Sequence, residues 1–370
     1  MASPLLTVIV PVKGGEKVLA ATLPTLVASD LPRERWELIV VDDGSTDATS
    51  LVAARFADVV VRLAGNSHGP SYARNRGAEV SRGDVLVFLD ADVRVHPDTL
   101  RLFAELFEAD PELGAAMGSY DDTPPGGVVS QFRNLLHHHT HHLNPGEAET
   151  FWAGCGAVRR DVFRDVGGYD EWHYSRPQIE DIELGRRIRM ANQRILLRPD
   201  IQCTHLKRWT LWNFLTTDFR HRGVPWTWML VTEGPTAGAS TLNLRLSQRL
   251  AAACSGLAAL ALLAAPLLRA WWPLAVLALA LAGVVAVNWR FYAMLARRYD
   301  GALLLAALPL HVAHYLVSGL SLVAGLVMSA LFGEPQAEKD ATALEEVGLT
   351  TWPPAPARPQ AGVWAPPAAP

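Results

Sequence analysis

The first 230 residues alternate between short apolar runs and longer stretches with one apolar face. Five short runs rich in Val, Ile and Leu have the length of buried strands: residues 7–12, 37–41, 58–61, 85–89 and 194–197. Three stretches between them have the spacing of helices: residues 16–28, 46–56 and 69–80. Strands that alternate with helices build βαβ units, so the pattern predicts an α/β fold with a mostly parallel sheet.

The pattern changes after about residue 230, where three long runs are almost free of charge: residues 250–268, 271–287 and 303–331. Each run is long enough to cross a bilayer as a helix, which takes about 20 residues. Buried helices of a soluble core are the alternative interpretation. Three consecutive charge-free runs rarely pack inside one soluble domain, so we predict about three transmembrane helices.

These patterns divide the chain into four parts. We predict an α/β domain at 1–230, a linker or juxtamembrane segment at 231–249 and the transmembrane helices at 250–332. The remaining residues, 333–370, are rich in Pro, Ala and Glu and predict a disordered tail.

Basic residues flank the apolar runs unevenly. Arg245 and Arg249 precede the first run, while only Arg269 lies between the first and the second. Three more arginines follow the second run: Arg290, Arg297 and Arg298. By the positive-inside rule, this distribution predicts a multi-pass protein of the cell membrane whose α/β domain lies in the cytoplasm.

Composition narrows the class of protein further. Hydrophobic residues make up 50% of the 370 residues and charged residues only 19%, which fits a chain that faces lipid in part. The net charge of −4 argues against a nucleic-acid partner, which requires a basic face. Three cysteines lie far apart without zinc-binding spacing, and a reducing compartment with no disulfide is expected: Cys155, Cys203 and Cys254.

Two of the predicted strands end in pairs of acidic residues. Asp42 and Asp43 follow one strand, and Asp90 and Asp92 follow another. Parallel sheets bind ligands at the carboxyl ends of their strands, which is where both pairs fall.

The two pairs suggest different chemistry. Carboxylates two residues apart, as in Asp90 and Asp92, suit a hard divalent cation that bridges the diphosphate of a nucleotide. Asp42 and Asp43 can accept hydrogen bonds from a base or a ribose. An ordinary helix N-cap is the alternative for the first pair and a solvated turn for the second.

A third acidic pair, Glu180 and Asp181, opens a helix with an apolar stripe at residues 182, 185 and 188. Acidic residues are favoured in a first helical turn by the helix dipole, which is the structural alternative. The same position leaves a carboxylate facing a cleft, where it can remove a proton from a hydroxyl group.

The order of these motifs resembles the family 2 glycosyltransferases of the GT-A fold. The motifs that carry the resemblance lie within residues 5–225: Pro11, the runs at 42–45, 73–77, 90–92 and 167–170, and the pair at 180–181. The resemblance implies a Rossmann-like GT-A domain, a nucleotide-sugar donor (a UDP- or GDP-sugar), Mn²⁺ or Mg²⁺ as cofactor, and an inverting transfer.

The resemblance also assigns roles to residues. Asp181 matches the general base, with Glu180 beside it, and Asp92 matches the metal ligand. Asp90 would lie near the ribose or the metal. The other residues of the donor site would be Pro11, Asp42, Asp43 and Arg74.

Further candidates surround this core set. A late histidine completes the metal shell in some GT-A enzymes, which makes His205 a candidate ligand. Lys207 and Arg208 are candidates for holding the diphosphate, and a basic patch under the membrane is the alternative. Residues 151–156 match the acceptor-side loop of the family, and the predicted site residues in it are Trp152, Gly154 and Cys155. An ordinary tight turn is the alternative interpretation of this segment. Cys155 is expected to be a packing residue and not a nucleophile.

Two other segments suggest a function at first sight: the histidines at 137–142 and the residues at 220–226. The histidines at 137–142 project in different directions on a helix and cannot all bind one ion, so a polar face near the acceptor is favoured. Residues 220–226 stand where processive synthases carry a Gln-x-x-Arg-Trp element. That element is not intact, which counts against polymerisation.

One chemical point bears on the acceptor. A polyprenyl phosphate is already an anion and needs no base, so the acidic pair Glu180 and Asp181 favours a hydroxyl acceptor at the membrane surface, such as a lipid-linked sugar or a glycolipid. A polyprenyl-phosphate sugar transferase is the alternative. Arg94 stands where some of those enzymes place an extra metal ligand, which counts against this alternative. A non-catalytic membrane protein that binds nucleotide sugars is the alternative of another class, and loss of Asp92 or Asp181 would mark it.

Overall fold

The computed structural model of the protein describes residues 5–233 and 246–333. Parts of the sequence predictions lie outside the described residues: residues 234–245 of the linker predicted at 231–249, with Arg245 among them, and residues 334–370 of the tail predicted at 333–370. The two ends of the predicted linker, 231–233 and 246–249, belong to helices. The described residues form a sheet with flanking helices, followed by a group of C-terminal helices.

The strands of the described residues are β1 (Leu6–Val12), β2 (Trp36–Asp42), β3 (Val59–Arg62), β4 (Val85–Leu89), β5 (Val93–Val95), β6 (Leu113–Tyr120), β7 (Gly146–Glu147), β8 (Cys155–Arg159) and β9 (Arg194–His205). The α-helices of the first part are α1 (Glu16–Val27), α2 (Thr49–Ala53), α3 (Pro70–Glu79), α4 (Thr99–Ala109), α5 (Val128–His142), α6 (Arg160–Asp165), α7 (Glu180–Met190), α8 (Leu211–Thr216) and α9 (Val224–Glu233). A π-helix, Thr217–Gly223, joins the last two.

The strands form one sheet in the order β3-β2-β1-β4-β8-β6-β9-β5, with β7 added alongside β9. The first four strands in this order are parallel, and β8 runs antiparallel between β4 and β6. β2 and β4 are buried along their whole length, as strands covered on both faces by helices must be. The prediction of an α/β fold is confirmed, but the sheet is mixed and not mostly parallel, because four of its strand pairings are antiparallel.

Two local predictions differ from the structure. The helix predicted over 46–56 is confined to α2, and the strand predicted over 194–197 continues to His205 as β9. β9 passes Pro199 because its pairing with β6 is interrupted there by register shifts, and its last residues pair with β5 on the other side. The extension matters because it carries His205 to the same edge of the sheet as the end of β4.

The C-terminal helices are α10 (Leu246–Leu268), α11 (Trp272–Val287), α12 (Trp289–Arg298) and α13 (Gly301–Phe332). By length and composition, α10 and α13 can each cross a membrane. α11 and α12 are each too short to cross a membrane alone. Taken together they can form one broken span, in which the chain bends by 78° between the two helices. The prediction of about three spans therefore corresponds to two helices, or to three with the bent pair.

The C-terminal helices share a core with the α/β domain. Phe132 of α5 lies at the centre of this core, 5.8 Å from Phe291 of α12 between ring centroids, and Leu303 and Leu310 of α13 belong to the same cluster. Because α12 and the first turns of α13 bury apolar side chains against α5, these helices share a folded core with the α/β domain and are not only a tether.

An ionic contact reinforces this junction. Asp218 of the π-helix is buried, and its carboxylate lies 2.6 Å from Arg133 of α5 and 2.9 Å from Nδ1 of His314 on α13. Burial would raise the pKa of Asp218, but the charge of Arg133 holds it well below its usual value. The ionised carboxylate therefore fixes the π-helix between α5 and α13.

Candidate active site

The end of β4 places two acidic side chains at the edge of the sheet. Asp90 and Asp92 lie in the turn between β4 and β5, and about a third of each side chain is exposed. β5 pairs with the end of β9, so that Val93 lies opposite His205. The N–H of Leu206 also donates to the carbonyl oxygen of Asp92 at 2.8 Å. These contacts bring the His205 imidazole next to the Asp92 carboxylate.

The orientation of His205 is suited to metal binding. Its Nε2 atom lies 3.6 Å from Oδ2 of Asp92, and its Nδ1 atom lies 2.9 Å from Oδ1 of Asn134. Because an amide oxygen only accepts hydrogen bonds, Nδ1 carries a hydrogen, and Nε2 faces the carboxylate, where it can donate a proton to Asp92 or offer its lone pair to a cation between them. Metal-binding histidines are commonly held in this way through the second ring nitrogen.

The residues present fit a divalent cation held by two protein ligands. Among residues 5–233 and 246–333, no group of three or more His, Cys, Asp or Glu side chains is arranged to hold a metal ion. Asp92 and His205 offer one carboxylate oxygen and one imidazole nitrogen, with Asp90 beside them. Mn²⁺ and Mg²⁺ at nucleotide sites take several of their ligands from phosphate oxygens and water, so a pair of protein ligands is sufficient.

The charge of Asp92 agrees with this function. Burial alone would raise its pKa, but His205 and the positive charge of Lys207 outweigh burial and lower the pKa below its usual value. Lys207 is also positioned by Trp209, since its Nζ lies over the ring at 4.4 Å from the centroid. Arg208, the other predicted diphosphate ligand, is exposed to solvent beside it.

Arg74 on α3 joins two acidic segments that are far apart in the sequence. Its guanidinium group is buried and donates to Oδ1 of Asp90 at 2.8 Å and to Oε1 of Glu180 at 3.1 Å. A buried arginine requires carboxylate partners, so these two bonds fix the end of β4 against the start of α7. The predicted metal ligands and the predicted base consequently border one cleft.

Glu180 and Asp181 have different environments in this cleft. Glu180 is buried, and its second oxygen accepts from the N–H of Gln178 at 2.7 Å. Asp181 is partly exposed, and Oδ2 accepts a long hydrogen bond from the N–H of Ala153 at 3.3 Å. Burial and the charge of Glu180 raise the pKa of Asp181 to about 7, although Arg74 opposes the shift. A general base works best with a pKa near the working pH, which Asp181 has.

Arg222 is a residue of the cleft that the sequence reasoning missed. It is exposed on the π-helix, and its charge acts on Asp181, on Lys207 and on His137. The sequence carries a signal for it, because the segment 220–226 stands where other enzymes have a Gln-x-x-Arg-Trp element. The arginine is placed by the π-helix, a geometry that spacing alone does not reveal.

The first acidic pair, at the end of β2, is bound by the protein itself. Asp42 and Asp43 are both buried, and Asp42 accepts hydrogen bonds from the N–H of Ser45 and the hydroxyl of Ser50. Three donors of a later loop bind Asp43: Ser67 Oγ at 2.6 Å, His68 N–H at 2.8 Å and Gly69 N–H at 2.9 Å. The structure thus gives both carboxylates structural partners, and a contact with the donor base remains a prediction.

A glycine allows that loop to approach. Gly44 has a φ of 73°, and a Cβ atom there would lie 2.6 Å from the carbonyl oxygen of Gly65. Only glycine tolerates both the left-handed backbone and the close approach. Pro11, another predicted donor residue, is partly exposed on β1 opposite Val41 and next to this end of the sheet.

Comparison with known proteins agrees with this geometry. Residues 7–167 match the family model described as glycosyl transferase family 2. This part of the chain is a family 2 glycosyltransferase domain. Two curated relatives are the glucosyl-dolichyl phosphate glucuronosyltransferase of Haloferax volcanii, 29% identical over 148 residues, and the beta-monoglucosyldiacylglycerol synthase of Synechocystis, 35% identical over 118 residues.

These matches are partial. They cover 37% and 30% of this chain, and 47% and 24% of the respective relatives, so the chain spans less than half the length of either one. Among solved structures, the mannosyltransferase PcManGT from Pyrobaculum calidifontis, in complex with GDP-Man and Mn²⁺, aligns with a TM-score of 0.55. The alignment covers 87% of this chain and 88% of that one at 20% identity, which shows a common GT-A fold.

The predicted acceptor-side loop borders His205, a predicted metal ligand, through aromatic rings. Trp152 packs edge-on against Tyr120 at 4.8 Å, and Tyr120 stacks on His205 at 4.6 Å. Gly154 allows this arrangement, because a Cβ atom there would lie 2.4 Å from the Trp152 ring. Cys155 lies fully buried in β8, so its side chain packs in the core and does not line the cleft.

The histidines of α5 act mainly as structural residues. Nδ1 of His138 lies 2.8 Å from the carbonyl oxygen of Tyr120, and Nδ1 of His141 lies 3.0 Å from that of Gly118. These contacts join α5 to β6. Burial lowers the pKa of His141 to about 4 and places that of His137 well below its usual value, so both rings are neutral at pH 7.

Proposed function

We propose that this protein is a membrane-anchored inverting glycosyltransferase that moves a sugar from a UDP- or GDP-sugar to a hydroxyl acceptor at the membrane surface. The observation that carries the proposal is the pair of hydrogen bonds from Arg74 to Asp90 and Glu180. Through these bonds, the strand end with the metal ligand Asp92 and the helix start with the base Asp181 face the same cleft.

The donor side of this proposal rests on Asp92 and His205. These side chains would hold Mn²⁺ or Mg²⁺, and the bound ion would neutralise the diphosphate as it leaves. A related structure was determined with GDP-Man and Mn²⁺, which is consistent with this cofactor and donor class. Lys207, Arg208 and Arg222 supply further positive charge for the phosphates of the donor.

Asp181 is proposed to act as the general base. Its carboxylate would accept the proton of the acceptor hydroxyl while the hydroxyl oxygen bonds to the anomeric carbon and the bond from that carbon to the diphosphate breaks. The N–H groups of Ile182 and Ala153 would orient the two carboxylate oxygens, and the partly exposed carboxylate would remain accessible to the acceptor. Glu180 is held by Arg74 and Gln178 and would serve as an electrostatic neighbour that keeps the pKa of Asp181 high.

The base favours a hydroxyl acceptor over a phosphate acceptor. A phosphate is ionised at neutral pH and requires no base, whereas a hydroxyl requires one in the transition state. The name of one relative refers to a glucosyl-dolichyl phosphate, and that of another gives a glucosyldiacylglycerol as its product, so both names refer to glycosylated lipids. We therefore propose a lipid-linked sugar or a glycolipid as the acceptor class.

Membrane anchoring is proposed from the C-terminal helices. Their outward surface exposes many large apolar side chains, and Leu267 and Leu305 are each 80% exposed. α13 is about 48 Å long at 1.5 Å per residue, while the hydrocarbon core of a bilayer is about 30 Å thick. The first turns of α13 pack on α5, and its later turns pack beside the π-helix and α9, with Ser321 next to Gly223 and Gly325 next to Thr227.

The orientation follows from the basic residues around these helices. Arg249 lies in the first turn of α10, and Arg297 and Arg298 end α12. α12 lies on the enzyme domain, and an ion pair joins Arg298 to Asp122. The positive-inside rule therefore places the enzyme domain at the cytoplasmic face.

A transfer assay tests the proposal. Membranes that contain the full chain are incubated with radiolabelled UDP- and GDP-sugars and extracted with organic solvent. The label should enter the organic phase with one donor class, and EDTA should abolish this transfer. Asp181→Asn should lower the rate by about 100-fold or more, as expected for loss of a general base. Asp165→Asn, which changes an exposed carboxylate of the same domain, should have no effect.

Two outcomes would contradict the proposal. Full transfer by Asp181→Asn would favour a polyprenyl-phosphate acceptor, which requires no base. A lack of transfer with every donor, combined with retained nucleotide binding, would favour a non-catalytic nucleotide-sugar-binding protein.

A further inference from the structure

The hydroxyl group of Tyr169 is buried without a hydrogen-bond partner. Tyr169 is 1% exposed, and within the described parts of the chain no atom hydrogen-bonds to its Oη. A buried hydroxyl without a partner destabilises the folded state, so such groups are uncommon. The ring itself is well packed, in edge-on contact with Phe88 at 5.1 Å and close to Phe163 at 5.6 Å.

The backbone around Tyr169 is also fixed. Asn75 of α3 bonds both sides of the residue: its Oδ1 accepts from the N–H of Tyr169 at 2.9 Å and its Nδ2 donates to the Tyr169 carbonyl oxygen at 2.9 Å. The neighbouring Gly168 has a φ of 68°, and a Cβ atom there would lie 2.9 Å from Asn75 Oδ1. The ring therefore has little freedom to move its hydroxyl toward another partner.

The charged groups that act most strongly on this hydroxyl all belong to the candidate active site. They are Arg74, whose guanidinium lies 5.2 Å from the Tyr169 ring centroid, and the carboxylates of Asp181, Glu180 and Asp90. Burial raises the pKa of Tyr169 well above its usual value, so the hydroxyl keeps its hydrogen at neutral pH and can donate it.

The partners of the neighbouring acids indicate where this hydrogen bond goes. Both oxygens of Glu180 accept hydrogen bonds from protein donors, and Asp90 is paired with Arg74. Oδ1 of Asp181 accepts from the N–H of Ile182 at 2.8 Å, whereas Oδ2 receives only a long bond, 3.3 Å, from the N–H of Ala153. Oδ2 of Asp181 therefore lacks a strong donor.

We propose that Tyr169 is a positioning residue for the general base, and that its hydroxyl donates a hydrogen bond that reaches the Asp181 carboxylate through one ordered water. This inference rests on the proposed role of Asp181. A bridging water satisfies two buried polar groups nearly as well as a direct bond. The bridge stabilises the ionised carboxylate and orients it toward the acceptor hydroxyl.

The test is a double-mutant cycle between Tyr169→Phe and Asp181→Asn, measured by thermal unfolding of the full chain in detergent from pH 5 to pH 9. The pKa of Asp181 is raised in the folded protein, so its contribution to stability is present at low pH and is lost as the pH rises through about 7. Three other charged groups also act on this carboxyl and are unchanged in the cycle: Glu180, Arg74 and Arg222. Tyr169→Phe should move the loss to higher pH by about half a unit, because the carboxylate loses a donor.

In the Asp181→Asn background, Tyr169→Phe should have no pH-dependent effect. This measurement requires no transfer activity, so it separates failure of this inference from failure of the proposed function. In the transfer assay, Tyr169→Phe should lower kcat by about 10-fold with little change in KM for the donor, and the acid limb of the pH profile should shift in the same direction.

Tyr72→Phe is the matched control. Tyr72 is a buried tyrosine of α3 whose ring lies under Arg76, and its hydroxyl interacts with that side chain. Loss of this hydroxyl should lower stability at every pH and leave kcat unchanged. The inference is overturned if Tyr169→Phe lowers stability equally in both Asp181 backgrounds, or if the pH dependence of unfolding matches that of the unmodified protein.

Discussion

Two strand ends of the same sheet carry nearly the same sequence signal and differ in structure. Asp42 and Asp43 follow β2, while Asp90 and Asp92 follow β4, two strands away in the sheet order. The first pair is buried and bound by backbone N–H groups and hydroxyl groups. The second pair is about one-third exposed, and its nearest side-chain partners are the guanidinium group of Arg74 and the imidazole of His205.

This difference shows how the neighbours of a carboxylate determine its use. Asp43 accepts hydrogen bonds from two backbone N–H groups and one serine hydroxyl of the same loop. Because backbone N–H groups are fixed in place, this carboxylate holds the loop. An imidazole with Nε2 directed at Asp92 is satisfied only when a proton or a cation lies between them. The strand end with unsatisfied acceptors is therefore the one available to a ligand.

The largest effect on sugar transfer is expected from the exposed pair, Asp90 and Asp92. Asp92→Asn keeps the shape of the side chain and removes its charge, so transfer should fall by more than about 100-fold, beyond the loss typical for outer-shell groups of a metal site. The melting temperature should change little. Asp161→Asn, an exposed change in the same domain, is the control. A variant at Asp92 that retains full transfer in the presence of Mn²⁺ would remove this carboxylate from the metal site.

The pH profile of activity tests whether Asp181, in the third acidic pair, is also available to a ligand. Asp181 has a raised pKa of about 7 and must be ionised to act as a base, so activity should rise with pH and level off above pH 8. At pH 5 the rate should be about 100-fold below the plateau, because only about 1% of the carboxyl would be ionised. kcat measured across this range gives the answer. A profile flat down to pH 5 would contradict the raised pKa.

A smaller effect is expected from Asn134, which holds the ring of His205. Asn134→Ala removes the acceptor for Nδ1–H, so the imidazole loses its fixed orientation, and Mn²⁺ affinity should fall by about 10-fold. The Mn²⁺ concentration that supports half-maximal transfer measures this change. Unaltered Mn²⁺ dependence would mean that His205 does not bind the metal.

The smallest effect on catalysis is expected from the buried pair, Asp42 and Asp43. Asp43→Asn replaces one acceptor oxygen by a donor facing N–H groups, which should lower the free energy of unfolding by about 1–3 kcal/mol. Thermal unfolding measures this loss, and kcat per folded molecule should remain near normal. A normal melting temperature with a strongly raised KM for the donor would show that Asp43 contacts the nucleotide and that its buried contacts are secondary.

The fold was predictable from the sequence to a large extent. The strand 85–89 is β4 as predicted, because five apolar residues between polar ones leave little choice of ends. The continuation of β9 past Pro199 was not predictable, since it depends on pairing with β5 and β6, which lie far away in the sequence. The bend between α11 and α12 was missed for a similar reason: α12 turns to bury Phe291 against α5.

The candidate site was predictable in its acidic residues and less so in its other members. Asp92 and Asp181 stand in motifs with a fixed order, and Arg74 joins their segments as a buried charge. Arg222 and the Tyr169 hydroxyl have functional interest only because of their position in space. No spacing rule connects them with Asp181, and the structure brings them together.

The central claim is that Asp92 and His205 hold a cation that binds the sugar nucleotide. Isothermal titration calorimetry of the full chain in detergent, with UDP and with GDP and with or without Mn²⁺, tests it most directly. The claim predicts that one nucleotide binds only with Mn²⁺, that Asp92→Asn abolishes this binding, and that the exposed control Asp161→Asn retains it. Nucleotide binding of equal strength without metal, or in Asp92→Asn, would contradict the claim.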